Sequence, residues 1–362
     1  MPMNRRIILQ RTAAIRRELK RRRISCLIVT SPANVTYTTG FMGEDSWAAL
    51  TAARTYLLTD SRYIEQAQKD CPSSTIVQRT GTMAQTVAGL VARLKLVRTI
   101  TVEKSVSLAD FEALKKRLKR PPKSVGGIIE AVRSVKHPDE IAAIKASGDI
   151  AGKVLRRTLP QVKAGMAEIE LAGLLDFQLR KAGATNSFDT IVAFGPNASR
   201  PHHQPGRRKL RKKDAILIDF GARYKGYCSD ITRCFVLGEP TAFYRKVFNV
   251  VERAQAAAIK AIAPGTKLST VDSAARDVIR AADLPVYGHG TGHGIGLEIH
   301  ELPFLKADTR AEKLKPGQVI TIEPGVYIPG RLGIRIEDDI LVTPTGCRIL
   351  TRHCPHSYQL SR

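Results

Sequence analysis

Two carboxylates in apolar surroundings, Asp219 and Asp230, are the first residues whose types and spacing point to chemistry. Asp219 lies near the end of the apolar run 215–221, and Asp230 lies in a second run after a turn-like segment. If the turn is centred on residues 224 and 225, the two carboxylates face each other across antiparallel strands, with Cβ atoms roughly 4.5–5.5 Å apart. Two like charges that close in an apolar sheet repel and lose hydration, so a cation must compensate them.

A second pair repeats this arrangement near the end of the chain. Glu323 and Glu337 are equidistant from Gly330, which lies in a turn between two further strand-like runs. We therefore expect them to be cross-strand partners as well, although the Pro-Gly pair after Glu323 can distort the register. Strand alternation predicts that Tyr327 and Arg335 point to the same face as the glutamates.

Histidines in glycine-rich surroundings accompany these carboxylates. His289, His293 and His300 fall within twelve residues, and His202 lies in a loop that leads into the first hairpin. A lone histidine is usually structural, but glycines let the backbone approach a site closely and imidazole suits a metal or a developing charge. Four carboxylates and a histidine favour hard or borderline divalent ions such as Mn²⁺ or Co²⁺. Two such ions, roughly 3.5–4 Å apart, would generate a bridging hydroxide for hydrolysis.

The elements that must position these residues differ between the two parts of the chain. The first part alternates short strands and helices, which predicts a small α/β domain. Its predicted strands are 26–30, 55–59, 74–78 and 99–103, and a turn at 31–34 ends the first of them. Its predicted helices are 8–23, 62–69, 83–94 and 108–118. The second part combines antiparallel hairpins with long helices, which predicts an α+β domain. Its predicted helices are 139–163, 167–182, 242–262 and 269–281. We place the domains at 1–132 and 133–362.

Composition narrows the class of protein. The chain has 362 residues, 43% of them hydrophobic, with a mean hydropathy of −0.15, which is typical of a soluble protein. No apolar run approaches the length of a membrane span, and arginines interrupt the start too often for a signal peptide. The six cysteines form no CxxC pair, so we expect reduced thiols and a cytoplasmic location, with a disulfide between Cys228 and Cys234 as the less favoured alternative.

The net charge of +25 raises nucleic acid as a partner. Basic residues come in runs at 16–23, 115–123 and 207–213. Only 6% of the residues are aromatic, and no aromatic residues interleave with these runs. We therefore favour solvated basic faces over a nucleic-acid site.

The order Asp219, Asp230, His293, Glu323, Glu337, with its surrounding sequence, resembles the aminopeptidase P, prolidase and creatinase family. The first part of the chain is also similar to that family's creatinase-type N-terminal domain, through the segments 37–41 and 58–63. The resemblance implies a pita-bread catalytic domain that binds two divalent ions, Mn²⁺ first and Co²⁺ or Zn²⁺ as alternatives. Creatinase lacks the metal ligands, and methionine aminopeptidase usually lacks this N-terminal domain.

The resemblance also implies a role for each site residue. Asp219 and Asp230 would chelate one ion, and Asp230 would bridge to the second. His293 and Glu323 would complete the shell of the second ion, with Glu337 bridging. The substrate-binding and catalytic residues would be His202, His289 and His300, with Arg335 orienting Glu337 and Tyr327 contributing to the substrate site.

The implied reaction is hydrolysis of an Xaa-Pro bond. Several prolidases carry an arginine four residues after the histidine that matches His300, and a positive group is needed to bind the free carboxylate of a dipeptide. This chain has Phe304 at that position. We therefore predict an Xaa-Pro aminopeptidase, with an Xaa-Pro dipeptidase and a non-catalytic nucleic-acid-binding protein as alternatives. The family also implies a homo-oligomer, most simply a dimer.

Overall fold

The fold is described here from a computed structural model, which covers residues 5–94, 97–309, 311–356 and 358–360. The chain divides into two units, Met1–Arg133 and Ser134–Arg362. Within the described residues, no helix is both long enough and apolar enough to cross a bilayer.

The first unit alternates helices and strands. Its helices are α1 (Arg5–Arg21), α2 (Pro32–Thr39), α3 (Ile64–Asp70), α4 (Met83–Arg93), α5 (Leu108–Arg117) and α6 (Ile128–Arg133). Its strands are β1 (Cys26–Val29), β2 (Trp47–Thr51), β3 (Thr55–Thr59), β4 (Thr75–Gln78), β5 (Ile100–Glu103) and β6 (Lys123–Val125). These strands form one sheet in the order β4-β3-β2-β1-β5-β6, antiparallel at the β1–β2 and β2–β3 pairs and parallel elsewhere.

Four elements of this unit were not predicted from the sequence: helices α2 and α6 and strands β2 and β6. The segment predicted as a turn after β1 is helix α2, which starts with Pro32 in its first turn and ends at Gly40 in the left-handed conformation. Proline is favoured at a helix start because its missing N–H has no intrahelical partner there. Strand β2 was not predicted, and its interior residues are buried between β1 and β3.

The second unit combines long helices with antiparallel sheets, as predicted for an α+β domain. Its helices are α7 (Pro138–Thr158), α8 (Glu168–Lys181), α9 (Ala242–Lys260) and α10 (Leu268–Ala281). Its strands are β7 (Thr185–Asn186), β8 (Ile191–Phe194), β9 (Ala215–Phe220), β10 (Ala222–Tyr224), β11 (Tyr227–Cys228), β12 (Ile231–Leu237), β13 (Gly292–Gly294), β14 (Glu301–Leu305), β15 (Val319–Ile322), β16 (Gly325–Ile328), β17 (Leu332–Arg335), β18 (Asp338–Thr343), β19 (Gly346–Ile349) and β20 (Gln359–Leu360).

Two sheets of this unit carry the residues predicted to do chemistry. One has the order β20-β12-β9-β8 and the other the order β14-β13-β15-β18-β19. Helices α9 and α10 pack beside them, and α9 buries Val247, Val251, Ala254 and Ala258 at helical spacing in the apolar core. This packing buries one side of the sheets in the apolar core.

The first hairpin turns one residue later than predicted. Its two-residue turn is Lys225–Gly226, and both residues have positive φ, which matches the twist of a tight hairpin. Thr232 therefore pairs with Asp219, and Asp230 falls in a break of the ladder between β11 and β12. The predicted direct pairing of Asp219 with Asp230 is wrong by two residues. A shift of two keeps both side chains on the same face.

The second hairpin keeps the predicted register. Ile322 pairs with Asp338 on one side of the glutamates, and Gly325 pairs with Arg335 on the other. Glu323 and Glu337 occupy the break between these two ladders. The hairpin thus places the two glutamates opposite each other, where their backbone N–H groups donate to the carbonyl oxygens of Thr291 and Thr232 instead of to the partner strand.

Candidate metal centre

The predicted site residues meet at one cavity of the second unit. The cavity has a volume of about 730 Å³ and an apolar rim that includes Phe188, Ile299 and Phe304. The predicted site residues that line it are His202, Asp219, Asp230, His289, His293, His300, Glu323, Arg335 and Glu337. Tyr327 does not line the cavity but contacts residues that do. The chain therefore brings together side chains separated by more than a hundred positions.

The carboxylates of this cluster have oxygens without a protein partner. Asp219 Oδ1, Asp230 Oδ1 and Glu337 Oε1 are buried and accept no hydrogen bond from the described residues. Asp230, His293 and Glu337 also offer ligand atoms that all lie within 4.8 Å of one another. Unpaired buried carboxylate oxygens are costly, and a bound cation would remove that cost. The residues present therefore fit divalent metal ions.

His293 is oriented as a metal ligand would be. Its Nδ1 lies 3.0 Å from the carbonyl oxygen of Gly294, which can only accept, so Nδ1 carries the proton. Its Nε2 then presents a lone pair 3.7 Å from Asp230 Oδ2 and 3.8 Å from Glu323 Oε1. Burial lowers the pKa of His293 to about 4, so the ring is neutral at pH 7. A lone pair facing carboxylates is unfavourable unless a cation lies between them.

The acids of the cluster shift in the opposite direction. Burial raises the pKa of Asp230 well above its usual range, and the charges of Glu337 and Asp219 raise it further. Burial, followed by the charge of Glu337, also raises the pKa of Glu323. For Glu337, burial and the charge of Asp219 raise the pKa to about 8. Without a metal ion, the cluster therefore holds protons in place of the missing positive charge.

Arg335 supports the cluster from behind. Its Nη2 lies 2.5 Å from Asp219 Oδ2, its Nε donates to Thr232 Oγ1 at 3.0 Å and its Nη1 donates to the Tyr327 hydroxyl at 2.8 Å. Thr232 Oγ1 in turn donates to Glu337 Oε2 at 2.6 Å. Arg335 was predicted to orient Glu337, and the hydrogen bonds given by the described residues link the two through Thr232.

The histidines occupy different parts of the cavity. Nδ1 of His289 donates to the Gly290 carbonyl at 2.8 Å, so its Nε2 accepts from the Tyr327 hydroxyl at 3.0 Å. Burial lowers the pKa of His289 to about 4 and also lowers that of His300. The His300 ring meets the His293 ring edge-on, with centroids 4.4 Å apart.

Sequence reasoning missed two residues that hold the cluster in place. Thr232 bridges Arg335 and Glu337, and Asp339 accepts the backbone N–H of Asp230 at 3.2 Å through its Oδ2. Thr232 lies two positions after Asp230, so strand alternation alone would have placed it on the same face. No local signal marked Asp339, because its partner lies in another hairpin.

Comparison with known proteins agrees with this geometry. Residues 142–344 match metallopeptidase family M24, and residues 11–135 match the creatinase/prolidase N-terminal domain. An uncharacterized peptidase of Bacillus subtilis, YqhT, is 38% identical over 92% of this chain and 94% of that protein.

Two solved structures are similar over nearly the whole chain. The Xaa-Pro dipeptidase from Bacillus anthracis has a TM-score of 0.93 and 34% identity, covering 98% of this chain and 100% of that one. The X-Pro aminopeptidase from Thermotoga maritima has a TM-score of 0.87 and 34% identity, covering 95% and 100%.

The fold and the carboxylate–histidine cluster thus define a metallopeptidase, a hydrolase that acts on peptides and uses divalent metal ions. The chain belongs to metallopeptidase family M24 and combines its pita-bread catalytic fold with a creatinase-type N-terminal domain. The fold and family predicted from the sequence are confirmed.

Proposed function

We propose that this chain is an Xaa-Pro aminopeptidase that binds two divalent metal ions and releases the residue before proline. The observation that carries the proposal is the meeting of four carboxylates and one unprotonated imidazole nitrogen in a single cavity. The names of the two similar solved structures support an Xaa-Pro bond as the target.

The metal ligands of this proposal are Asp219, Asp230, His293, Glu323 and Glu337. Asp219 and Asp230 would hold one ion and His293 with Glu323 the other, and Asp230 and Glu337 would bridge the two. The bound ions would activate a water molecule as the nucleophile and stabilise the negative charge that develops on the substrate. We propose Mn²⁺ as the ion, since oxygen-rich sites favour hard or borderline cations.

The surrounding residues would bind and orient the peptide. His202, His289 and His300 line the cavity, and an imidazole N–H of His202 or His300 can donate to the carbonyl oxygen of the bond being cleaved. The N–H of His289 already donates to the Gly290 carbonyl, so this ring would contribute contact with the peptide. Tyr327 fixes the ring of His289 through its hydroxyl, and Arg335 fixes that hydroxyl. These contacts hold the His289 ring in place before the substrate arrives, which lowers the cost of ordering it during the reaction.

Phe304 supports the aminopeptidase over the dipeptidase. Its ring lines the cavity at the position where several prolidases carry an arginine, and a benzyl group cannot bind a free carboxylate. In a longer substrate peptide, the proline carbonyl is part of a peptide bond and is not a free carboxylate. An apolar wall there suits such a peptide better than a dipeptide.

A dipeptidase remains the second candidate because of Lys306. This exposed lysine also lines the cavity, and its ammonium lies 5.3 Å from the centre of the Phe304 ring. Its Nζ forms no ion pair with the described residues, so it is available to a substrate carboxylate.

Cleavage of Gly-Pro and of a longer Gly-Pro-Xaa peptide, each with added Mn²⁺, tests the choice. The proposal predicts that the longer peptide is cleaved at a higher kcat/KM. Faster cleavage of Gly-Pro that is lost in Lys306→Gln, but not in the exposed control Lys313→Gln, would establish the dipeptidase. Cleavage of neither peptide, combined with salt-sensitive RNA binding, would favour the non-catalytic alternative.

We further propose that the protein acts in the cytoplasm as a homodimer. All six cysteines are free, which suits a reducing compartment. Light scattering of the purified protein would measure the mass of the assembly directly.

A further inference from the structure

A carboxylate that does not line the cavity, Glu168, accepts four hydrogen bonds. It is the first residue of α8 and is 0% exposed. Its Oε1 accepts the backbone N–H of Phe194 and the side-chain amide of Asn197, both at 2.8 Å. Its Oε2 accepts Nε2 of His203 at 2.9 Å and the backbone N–H of Gly206 at 3.1 Å. Four donors converge on one buried side chain.

These donors belong to the segment that carries His202 into the cavity. We call residues 195–206 the His202 loop. Phe194 directly precedes this loop, Asn197 lies near its beginning, and His203 and Gly206 lie at its end. One carboxylate therefore ties both ends of the loop to the start of α8.

Glu168 is held in its ionised form. Burial alone would raise its pKa, but the hydrogen bonds from His203, Phe194 and Asn197 outweigh burial and lower the pKa. An ionised carboxylate only accepts, so Nε2 of His203 must donate to it. Such charge-assisted hydrogen bonds are about twice as strong as neutral ones, so the loop is held firmly.

Glu168 does not serve to cap its own helix. The N-cap of α8 is Ala167, and the side chain of Glu170 reaches back to its backbone N–H at 2.7 Å. The next two N–H groups, of Glu168 and Ile169, donate to the carbonyl oxygens of Arg208 and Gly206. The side chain of Glu168 is directed at the loop instead.

The other side of the loop is tied to the metal centre. The carbonyl oxygen of Pro201 accepts from both Nη1 and Nη2 of Arg335 at 3.4 Å, and Arg335 also holds Asp219. Ser199 Oγ accepts the backbone N–H of Gly330 at 3.3 Å. The loop is therefore fixed between Glu168 on one side and Arg335 on the other.

We propose that Glu168, with His203 as its partner, is a positioning residue that fixes His202 over the metal centre. Glu168 acts through the loop and does not touch the substrate. The expected effect on turnover rests on the function proposed above, whereas the expected effect on the loop does not.

A double-mutant cycle tests the effect on turnover. Glu168→Gln keeps the size of the side chain but turns one acceptor into a donor facing other donors. We expect it to lower kcat/KM by about 10- to 100-fold, as a displaced catalytic group would. In a His202→Ala background the same change should cost less than about two-fold, because the group it positions is already gone. Metal content should stay that of the wild type, and Glu170→Gln should retain full activity as the matched control on the same helix.

Hydrogen exchange of peptides covering 195–206 tests the loop itself, independently of any activity. We expect faster exchange in Glu168→Gln and a smaller acceleration in His203→Ala, which leaves three of the four hydrogen bonds and serves if Glu168→Gln does not fold. Unchanged exchange in a folded Glu168→Gln, or full additivity with His202→Ala, would overturn the inference. If the wild type cleaves no Xaa-Pro peptide, the proposed function fails, and the exchange result still decides whether Glu168 holds the loop.

Discussion

At the scale of single residues, the site consists of buried acids and a buried histidine whose charged forms are disfavoured. Asp230, Glu323 and Glu337 have raised pKa values, and His293 has a lowered one. Burial is the largest cause in each case, and it acts against the charged form of both residue types. Bound divalent cations would stabilise ionised carboxylates and a neutral imidazole together. This set of side chains is therefore stabilised by bound metal ions.

The first prediction concerns Arg335→Lys. A lysine keeps the positive charge but cannot contact Asp219, Thr232 and the Tyr327 hydroxyl at once, because it lacks the planar fork of donors. We expect metal affinity or kcat/KM to fall by about 10- to 100-fold, as is typical for residues that orient metal ligands. Metal titration and steady-state kinetics measure this. Wild-type values for Arg335→Lys would show that charge alone suffices.

The second prediction concerns the pH dependence of stability. Above about pH 7 the three cavity histidines with lowered pKa values, His289, His293 and His300, are largely neutral in both folded and unfolded protein, so the raised acids dominate. The folded metal-free protein then binds more protons than the unfolded chain, because the folded pKa of Glu337 is about 8. Its free energy of unfolding must fall as pH rises towards 8. Thermal unfolding in EDTA should show this fall, and saturating Mn²⁺ should abolish it. A metal-free protein that gains stability over this range would contradict the assignment.

At the scale of elements, two hairpins place the four carboxylates, and the sequence predicted them unequally. The second hairpin has the predicted register around Glu323 and Glu337. The first does not, because Lys225 adopts a positive φ and forms a two-residue turn with Gly226. Few residues other than glycine favour that conformation, so the turn position could not be inferred from residue types alone.

Side-chain contacts between elements far apart in the sequence could not be predicted from the sequence. Glu168 lies 35 positions from His203, and Asp339 lies 109 positions from Asp230. Hydrophobic periodicity fixes which face of an element is buried, but not which polar groups of other elements meet that face. That the carboxylates and histidines lie at one cavity could be predicted because acids in apolar runs and histidines in glycine-rich runs are uncommon, whereas Glu168, Asp339 and Thr232 lie in no such distinctive sequence.

The third prediction concerns Gly292, next to His293 on β13. A Cβ at this position would overlap the carbonyl oxygen of Thr321 on the neighbouring strand β15. Gly292→Ala should therefore push the two strands apart, costing about 1–3 kcal/mol of stability and displacing His293. Chemical denaturation and metal titration measure the two effects. Gly346→Ala is the matched control, because a Cβ there meets nothing within 4 Å. Equal behaviour of the two variants would refute the steric argument.

At the scale of the whole molecule, the excess of positive charge is not explained by the metal centre. The net charge is +25, yet the described residues that line the cavity include five acids and only two lysine or arginine side chains, Lys306 and Arg335. Helix α1 alone contains many arginines on its exposed face. Such a surface keeps the protein soluble and attracts polyanions without specificity.

The fourth prediction concerns the domain limits 1–132 and 133–362, which stay a prediction. We expect the fragments 1–132 and 133–362, expressed separately, each to unfold in a cooperative transition, because each unit has its own hydrophobic core. Thermal denaturation of the two fragments measures this. A fragment that shows no cooperative transition would contradict these limits.

The central claim is the two-metal centre, and metal counting tests it most directly. Equilibrium dialysis against Mn²⁺, followed by elemental analysis, should give two ions per chain, and stripping them should abolish peptide cleavage. Asp230→Ala should lose bound metal and more than about 100-fold in kcat/KM while keeping the far-UV circular dichroism of the wild type. Full activity in the metal-stripped protein, or in Asp230→Ala, would contradict the account.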